Sequence, residues 1–191
     1  MKSVVNTMRS GKELSRRDFL KLSGHFFLFM LGGTLYSTVV EPLWFDVENV
    51  VLQLPRLPKS FSGFRLVQIS DIHAGEQWMP GYLDTVVEKL IAIEPDSIAI
   101  TGDFVYLSPT MTDEILSQTE TALTKLSSNF PVYAVMGNHD HWWDVERVRH
   151  MLVRANVIEL NNRSHTLSRD DVFLHICGVD DIYERKDDLE T

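Results

Sequence analysis

Three short runs hold the residues that could do chemistry: Ser70-Asp71-Ile72-His73, Thr101-Gly102-Asp103 and Gly137-Asn138-His139-Asp140. Asp71 and His73 stand two apart. In an extended segment such positions face the same side, so one carboxylate and one imidazole can meet one cation. Asp103 follows a glycine that lets the backbone turn closely, and its two carboxylate oxygens can bridge a pair of ions. Asn138 offers an amide oxygen. His139 follows directly and can point elsewhere, toward a substrate. Mixed carboxylate, imidazole and amide ligands suit Mn²⁺, Fe or Zn²⁺ better than a metal that prefers thiolate. Taken singly, Asp71 reads as a helix N-cap and Gly137-Asn138 as a turn. The joint occurrence of three ordered runs favours the metal reading.

The elements that must position these residues alternate along the chain. Strands are expected over 64–69, 97–101, 132–136, 157–160 and 172–177, with helices over 82–93, 112–126 and 145–155. Pro95 and Asp96 break the first helix, Arg163 to Arg169 reads as a polar connection, and Gly178 closes the last strand. Before these, residues 41–63 form a lead-in, with Val47, Val50, Val51 and Leu52 strand-like and Pro55, Pro58 and Gly63 as punctuation. Strands alternating with helices predict an α/β fold with a mainly parallel sheet, and continuous apolar strands such as Ile98-Ala99-Ile100 fit a sheet covered on both faces. Each ligand-bearing run lies at the carboxyl end of an expected strand, where open α/β sheets gather their functional residues.

Charge divides the chain. The net charge of −9 is split between +4 in residues 1–21 and −13 in the remainder. So acidic a body argues against general nucleic-acid binding, which needs a basic footprint. A phosphate substrate stays compatible, because bound divalent cations invert the local field. Cys177 is the sole cysteine, so no intrachain disulfide forms. Residues 1–40 read as an address: Ser15-Arg16-Arg17-Asp18-Phe19-Leu20-Lys21 precedes an apolar run over about 22–40 that lacks Asp, Glu, Lys and Arg. The paired arginines and their context resemble the bacterial twin-arginine export signal. The apolar run approaches the roughly 20 residues of a membrane span, and no Ala-x-Ala-like cleavage site follows it. Both a cleaved export signal and an uncut one that tethers the domain to the membrane stay open; either places the domain outside the cytoplasm, with the export machinery as partner.

The three motifs together resemble the calcineurin-type metallophosphoesterases, most closely an exported branch with a twin-arginine signal. The intervals, 32 residues from Asp71 to Asp103 and 35 from Asp103 to Asn138, resemble that family's, and Gly178-Val179-Asp180-Asp181 resembles a segment of the branch. The resemblance implies the layered metallophosphoesterase fold over 64–191, with sheets flanked by helices. It implies a dinuclear site of two divalent ions (Mn, Fe or Zn): Asp71 and His73 on the first, Asp103 bridging, Asn138 on the second. His139 would stabilise or protonate the leaving oxygen, and a hydroxide between the ions would attack phosphorus in line. The substrate class would be a phosphoester, with a lipid-linked phosphate suggested by the membrane-proximal address.

This chain departs from the family pattern twice. The later Gly-His-x-His segment is not found before Thr191, so the chain is expected to be the N-terminal portion of the fold. The alternative to an active hydrolase is a partial fragment that binds at most one metal and turns nothing over. Three residues after Asp103, where many members carry an acid that orients the motif histidine, stands Tyr106. Other residues have blander readings. His141 and His150 read as surface residues, Cys177 as a small core residue, and Asp180-Asp181 and the tail 184–190 as solvated. Trp142 and Trp143 fit either an aromatic wall or packing under the third helix.

Overall fold

The structure, a computed structural model, describes residues 15–41, 46–75 and 81–188. Lys2, Arg9 and Lys12 of the basic leader, lead-in residues 42–45 and the end of the acidic tail lie outside the described residues. The chain divides into two compact units, up to Val51 and from Leu52 onward.

In the first unit, Ser15 caps α1 (Arg16–Leu35): its Oγ accepts from the Asp18 backbone N–H at 3.2 Å and donates to the Asp18 carboxylate at 2.6 Å. That arrangement satisfies one of the free N–H groups of the first turn and puts an acid at the positive end of the helix dipole. None of its residues is buried, and Phe26, Phe27 and Phe29 stand exposed. Among the described residues no helix is long and apolar enough to cross a membrane. In α1 the charged Arg16, Arg17, Asp18 and Lys21 take the first turns. Regular α bonding ends at Leu35 and continues as a π turn over Tyr36–Val40. The expected apolar run is thus divided between two helix types. The expected lead-in strand is not formed either: Val47, Val50, Val51 and Leu52 are exposed in irregular backbone, with no partner strand among the described residues.

The second unit is built on a parallel sheet of β1 (Leu66–Ile69), β2 (Ser97–Ile100), β3 (Val132–Ala134) and β4 (Ile158–Glu159), in that spatial order. All the carboxyl ends therefore line one edge. Helices α2 (Tyr82–Ile93) and α3 (Asp113–Ser127) pack together, and α3 packs on α5 (Val145–Arg154). Leu83, Val87 and Leu90 of α2, Leu116, Leu123 and Leu126 of α3 and Val148, Met151 and Leu152 of α5 close over Ile98, Ile100 and Val132. Each such side chain contributes about 1.5–3 kcal/mol by leaving water. The central strands β2 and β3 are buried almost throughout. The edge strand β1 alternates, with Leu66 and Gln68 exposed, so cover on both faces is confined to the middle of the sheet.

A second sheet pairs β5 (Arg163–Arg169) with β6 (Val172–Gly178) in an antiparallel hairpin. This corrects the expected polar connection at 163–169. The two-residue turn Asp170-Asp171 has φ of 50° and 61°, the left-handed pair that a tight hairpin requires. Arg169 ties the hairpin back: its guanidinium lies 5.3 and 5.2 Å from the ring centres of Phe61 and Phe64 and bonds the Asp96 carboxylate at 2.6 Å. Cys177, expected in the core, is exposed on β6, where alternate side chains face outward.

Candidate metal centre

The loops that follow β1 and β2 stay laced together beyond the regular sheet. The backbone N–H of Asp71 donates to Gly102, that of His73 to Asp103 and that of Ala74 to Phe104, and Ala74 pairs with Val105 as an isolated bridge. Within this lacing Asp71, His73 and Asp103 all adopt left-handed backbone, with φ of 56°, 46° and 56°. Each such non-glycine residue costs on the order of 1 kcal/mol or more, and such costs cluster at functional sites. The sequence expectation placed Asp71 and His73 on one side of an extended segment. They do converge, but through two left-handed residues.

The loop after β3 meets the loop after β2 through two glycines. A Cβ on Gly102 (φ +97°) would lie 2.5 Å from the Gly137 nitrogen, and one on Gly137 would lie 2.2 Å from the Asp103 carboxylate. Only residues without side chains allow this approach. It places Asp103 between the two other runs. One of its oxygens accepts the His139 backbone N–H at 3.0 Å, and the other lies 3.4 Å from His73 Nε2. His73 Nε2 is also 3.5 Å from the Asp71 carboxylate. Asn138 opens the short helix α4 (Asn138–Trp143) directly after Gly137. The expected metal ligands Asp71, His73 and Asp103 are thus neighbours, with Asn138 at the adjoining helix start.

His139 joins them more closely than its expected leaving-group role requires. His73, Asp103 and His139 each offer a ligand atom within 4.8 Å of the others. The His139 ring lies 4.7 Å from that of His73 and stacks on Tyr106 at 4.8 Å and 23°. Its Nδ1 is buried without a hydrogen-bond partner. A buried unpartnered imidazole nitrogen on a residue of this cluster fits a bound cation, because such a nitrogen otherwise carries a desolvation cost. The donor set, imidazole and carboxylate without thiolate, fits Mn, Fe or Zn. Tyr106, where an acid was expected, meets His139 face to face, so the ring is held by stacking.

One residue of the motif has a role that sequence reasoning missed. Asp140 is fully buried, and its carboxylate accepts four backbone N–H groups: Gly137 and Asp103 on one oxygen at 2.9 Å each, Phe104 and Val105 on the other at 2.8 and 3.2 Å. It straps the loops after β2 and β3 to each other. Burial pushes its carboxyl up to about 6, with the charge of Asp103 acting in the same direction and the N–H groups pulling it down. The available signal was its place as third residue of α4 after an apolar strand, where an acid can reach back to the cap.

His141 and Asp180, both expected on the surface, are bonded at 2.8 Å, with Asp180 buried and His141 partly so. Asn162 accepts the Asp180 and Asp188 backbone N–H groups, and Trp142 Nε1 donates to Glu184 at 2.8 Å. These contacts dock residues 180–188 against α4. Trp143 turns inward to the core with Arg147 over its ring, while Trp142 stays partly exposed beside His139.

A parallel α/β sheet with carboxylates and imidazoles converging at its carboxyl edge defines a protein built around a metal-site scaffold. Residues 64–186 match the calcineurin-like phosphoesterase family, and the chain belongs to that family. It is 30% identical to the uncharacterized metallophosphoesterase YkuE of Bacillus subtilis, over 94% of this chain and 64% of that protein. It is 31% identical to UDP-2,3-diacylglucosamine pyrophosphatase LpxG of Chlamydia trachomatis, over 68% of this chain and 38% of the relative. The nuclease MPE of Pseudomonas putida aligns in structure with a TM-score of 0.39 and 19% identity, over 52% of this chain and 49% of that one. The chain spans about two fifths to just under two thirds of the length of these two sequence relatives.

Proposed function

We propose that this chain carries the site of a metal-dependent phosphoester hydrolase acting outside the cytoplasm. The observation that carries the proposal is the meeting of Asp71, His73, Asp103 and His139 at one sheet edge, with a buried, unpartnered imidazole nitrogen among them. Two divalent ions bound there would supply a hydroxide nucleophile at neutral pH and a clamp on the phosphoryl oxygens. Asp71, His73, Asp103 and Asn138 would hold them. His139, its ring fixed between Tyr106, His73 and Trp142, meets the leaving oxygen and gives it a proton. Asp140 keeps Asp103 and His139 in register by bonding the backbone on both sides of the gap.

LpxG acts, by its name, on a diacylglucosamine nucleotide. The reading for this chain is accordingly a lipid-linked phosphoester, reached from the outer membrane-facing side after export through the twin-arginine route. Replacing Arg16-Arg17 by two lysines should trap a secreted reporter fusion in the cytoplasm; unchanged export would remove that part of the proposal.

Hydrolysis of an activated phosphoester should require added Mn²⁺ and fall at least about a hundredfold in Asp103→Asn, since bridging-ligand loss removes several kcal/mol of charge stabilisation. Full activity in that variant would end the proposal. The single group of three ligand atoms among the described residues favours a second reading, one bound ion and no turnover. Calorimetric titration with Mn²⁺ separates the two: a stoichiometry near two excludes the second reading, and a stoichiometry near one excludes the dinuclear one.

A further inference from the structure

The rings beside the candidate centre continue outward as a chain. Tyr106 stacks on His139, His139 lies 4.9 Å from Trp142, and Trp142 meets Tyr183 edge-on at 6.1 Å. Exposure rises along this chain. Trp142 exposes 42% of its surface and Tyr183 74%, with Ile182 beside it at 76%. Trp142 has its only donor already bonded to Glu184, so what it offers to solvent is ring surface. The platform is held in place: Asp180 is buried against His141, Asp181 accepts the Glu184 backbone N–H at 2.7 Å, and Lys186 bonds back to Asp181. A partly exposed aromatic surface maintained by that many polar contacts is built to receive something.

The charge around it limits the occupant. Asp181, Glu184, Asp187 and Asp188 belong to the same segment, against Arg185 and Lys186. With more acids than bases, this segment disfavours a nucleic-acid strand or an anionic membrane surface. An uncharged flat group suffers no such repulsion, and every aromatic ring has a face that can stack on Trp142. The platform is continuous with His139, the residue placed at the leaving oxygen. We infer that Trp142 and Tyr183 form a subsite for an uncharged aromatic group carried on the leaving side of the phosphoester. This rests on the hydrolase reading for its orientation, and names the substrate class of the same site.

The test measures binding, so that it does not depend on turnover. The full chain loaded with Mn²⁺ is titrated calorimetrically with naphthylmethylphosphonate and with hexylphosphonate. The aromatic probe should bind about tenfold tighter. In Trp142→Leu that preference should shrink about fivefold, in keeping with the loss of one aromatic contact. Tyr183→Ser, at an exposed position with one edge contact, should shrink it by about twofold without disturbing the fold. Equal losses for both probes would make Trp142 a structural prop and overturn the inference. So would tighter binding of hexylphosphonate, which marks an acyl surface, or failure of both probes to bind. A chain that shows the aromatic preference but no hydrolysis would overturn the hydrolase reading alone.

Discussion

The loop after β1 and the loop after β3 both bring candidate ligands to one candidate centre, yet they are built in opposite ways. The first carries Asp71 and His73 on left-handed backbone, with side chains 62% and 24% exposed. The second carries His139 beside Asp140, whose buried carboxylate gathers four backbone N–H groups. Asp103 sits between them at 14% exposure and belongs to both, touching His73 with one oxygen and the His139 backbone with the other. The lesson is a division of labour. One side of the candidate centre is held by hydrogen bonding inside the fold, and the other is open and on left-handed backbone.

The contrast breaks most severely at Asp140. In Asp140→Asn one oxygen becomes an NH₂ group facing two backbone N–H donors, so two bonds are replaced by two repulsions. Hydrogen bonds to a charged acceptor contribute about 1.5–3 kcal/mol each, so a loss of about 3 kcal/mol or more is expected. Thermal melting should show a large drop, with Mn²⁺ affinity lost as Asp103 and His139 come apart. A near-native melting temperature with intact Mn²⁺ binding would show that the strap is dispensable.

Next in size is Gly102→Ala. The new methyl would sit 2.5 Å from the Gly137 nitrogen, on backbone at φ +97°. Backbone on both sides must shift, and the expected cost is about 2 kcal/mol, combining overpacking with left-handed strain. The opposite behaviour belongs to Asp71→Gly on the open side. It relieves a left-handed non-glycine residue while deleting a ligand. Stability should change by less than about 1 kcal/mol, and Mn²⁺ affinity should fall on the order of tenfold or more. Parallel losses of stability and affinity in both variants would erase the distinction between the two loops.

How much of this was legible in the sequence follows from what each feature depends on. The strands Ser97–Ile100 and Val132–Ala134 and the helices α2, α3 and α5 were readable within a residue or two, because burial and period are local properties of the chain. The neighbourhood of Asp71, His73 and Asp103 was readable because each ends a strand in the same parallel sheet. Asp140 was not, since three of its four partners lie 35 to 37 residues away and its burial depends on their arrival. The strand Arg163–Arg169 was hidden because only His165 and Leu167 turn inward, and its pairing with Val172–Gly178 supplies the order that its own composition lacks. His141 and Asp180 read as surface residues singly; as a partly buried pair, each supplies the partner the other needs.

The smallest expected effect lies away from both loops, at the clasp that holds the hairpin. The Arg65 backbone N–H, and then the Arg169 guanidinium, hold the Asp96 carboxyl below its usual value of 3.8 against the opposing pull of burial. Its folded value is therefore lower than its unfolded one. The stabilisation it gives is present above about pH 4 and is lost as pH falls through the folded value, when the folded state must also take up the proton. The melting temperature of the full chain should decline across that acid range, and Asp96→Asn should flatten the decline while lowering the plateau near neutral pH slightly. Arg169 is 41% exposed, so solvent screening keeps the effect small. Because the clasp touches neither loop, Mn²⁺ affinity at pH 7 should be unchanged in this variant. A loss of affinity there would mean that the hairpin, and not Asp140 alone, sets the rigid side of the centre.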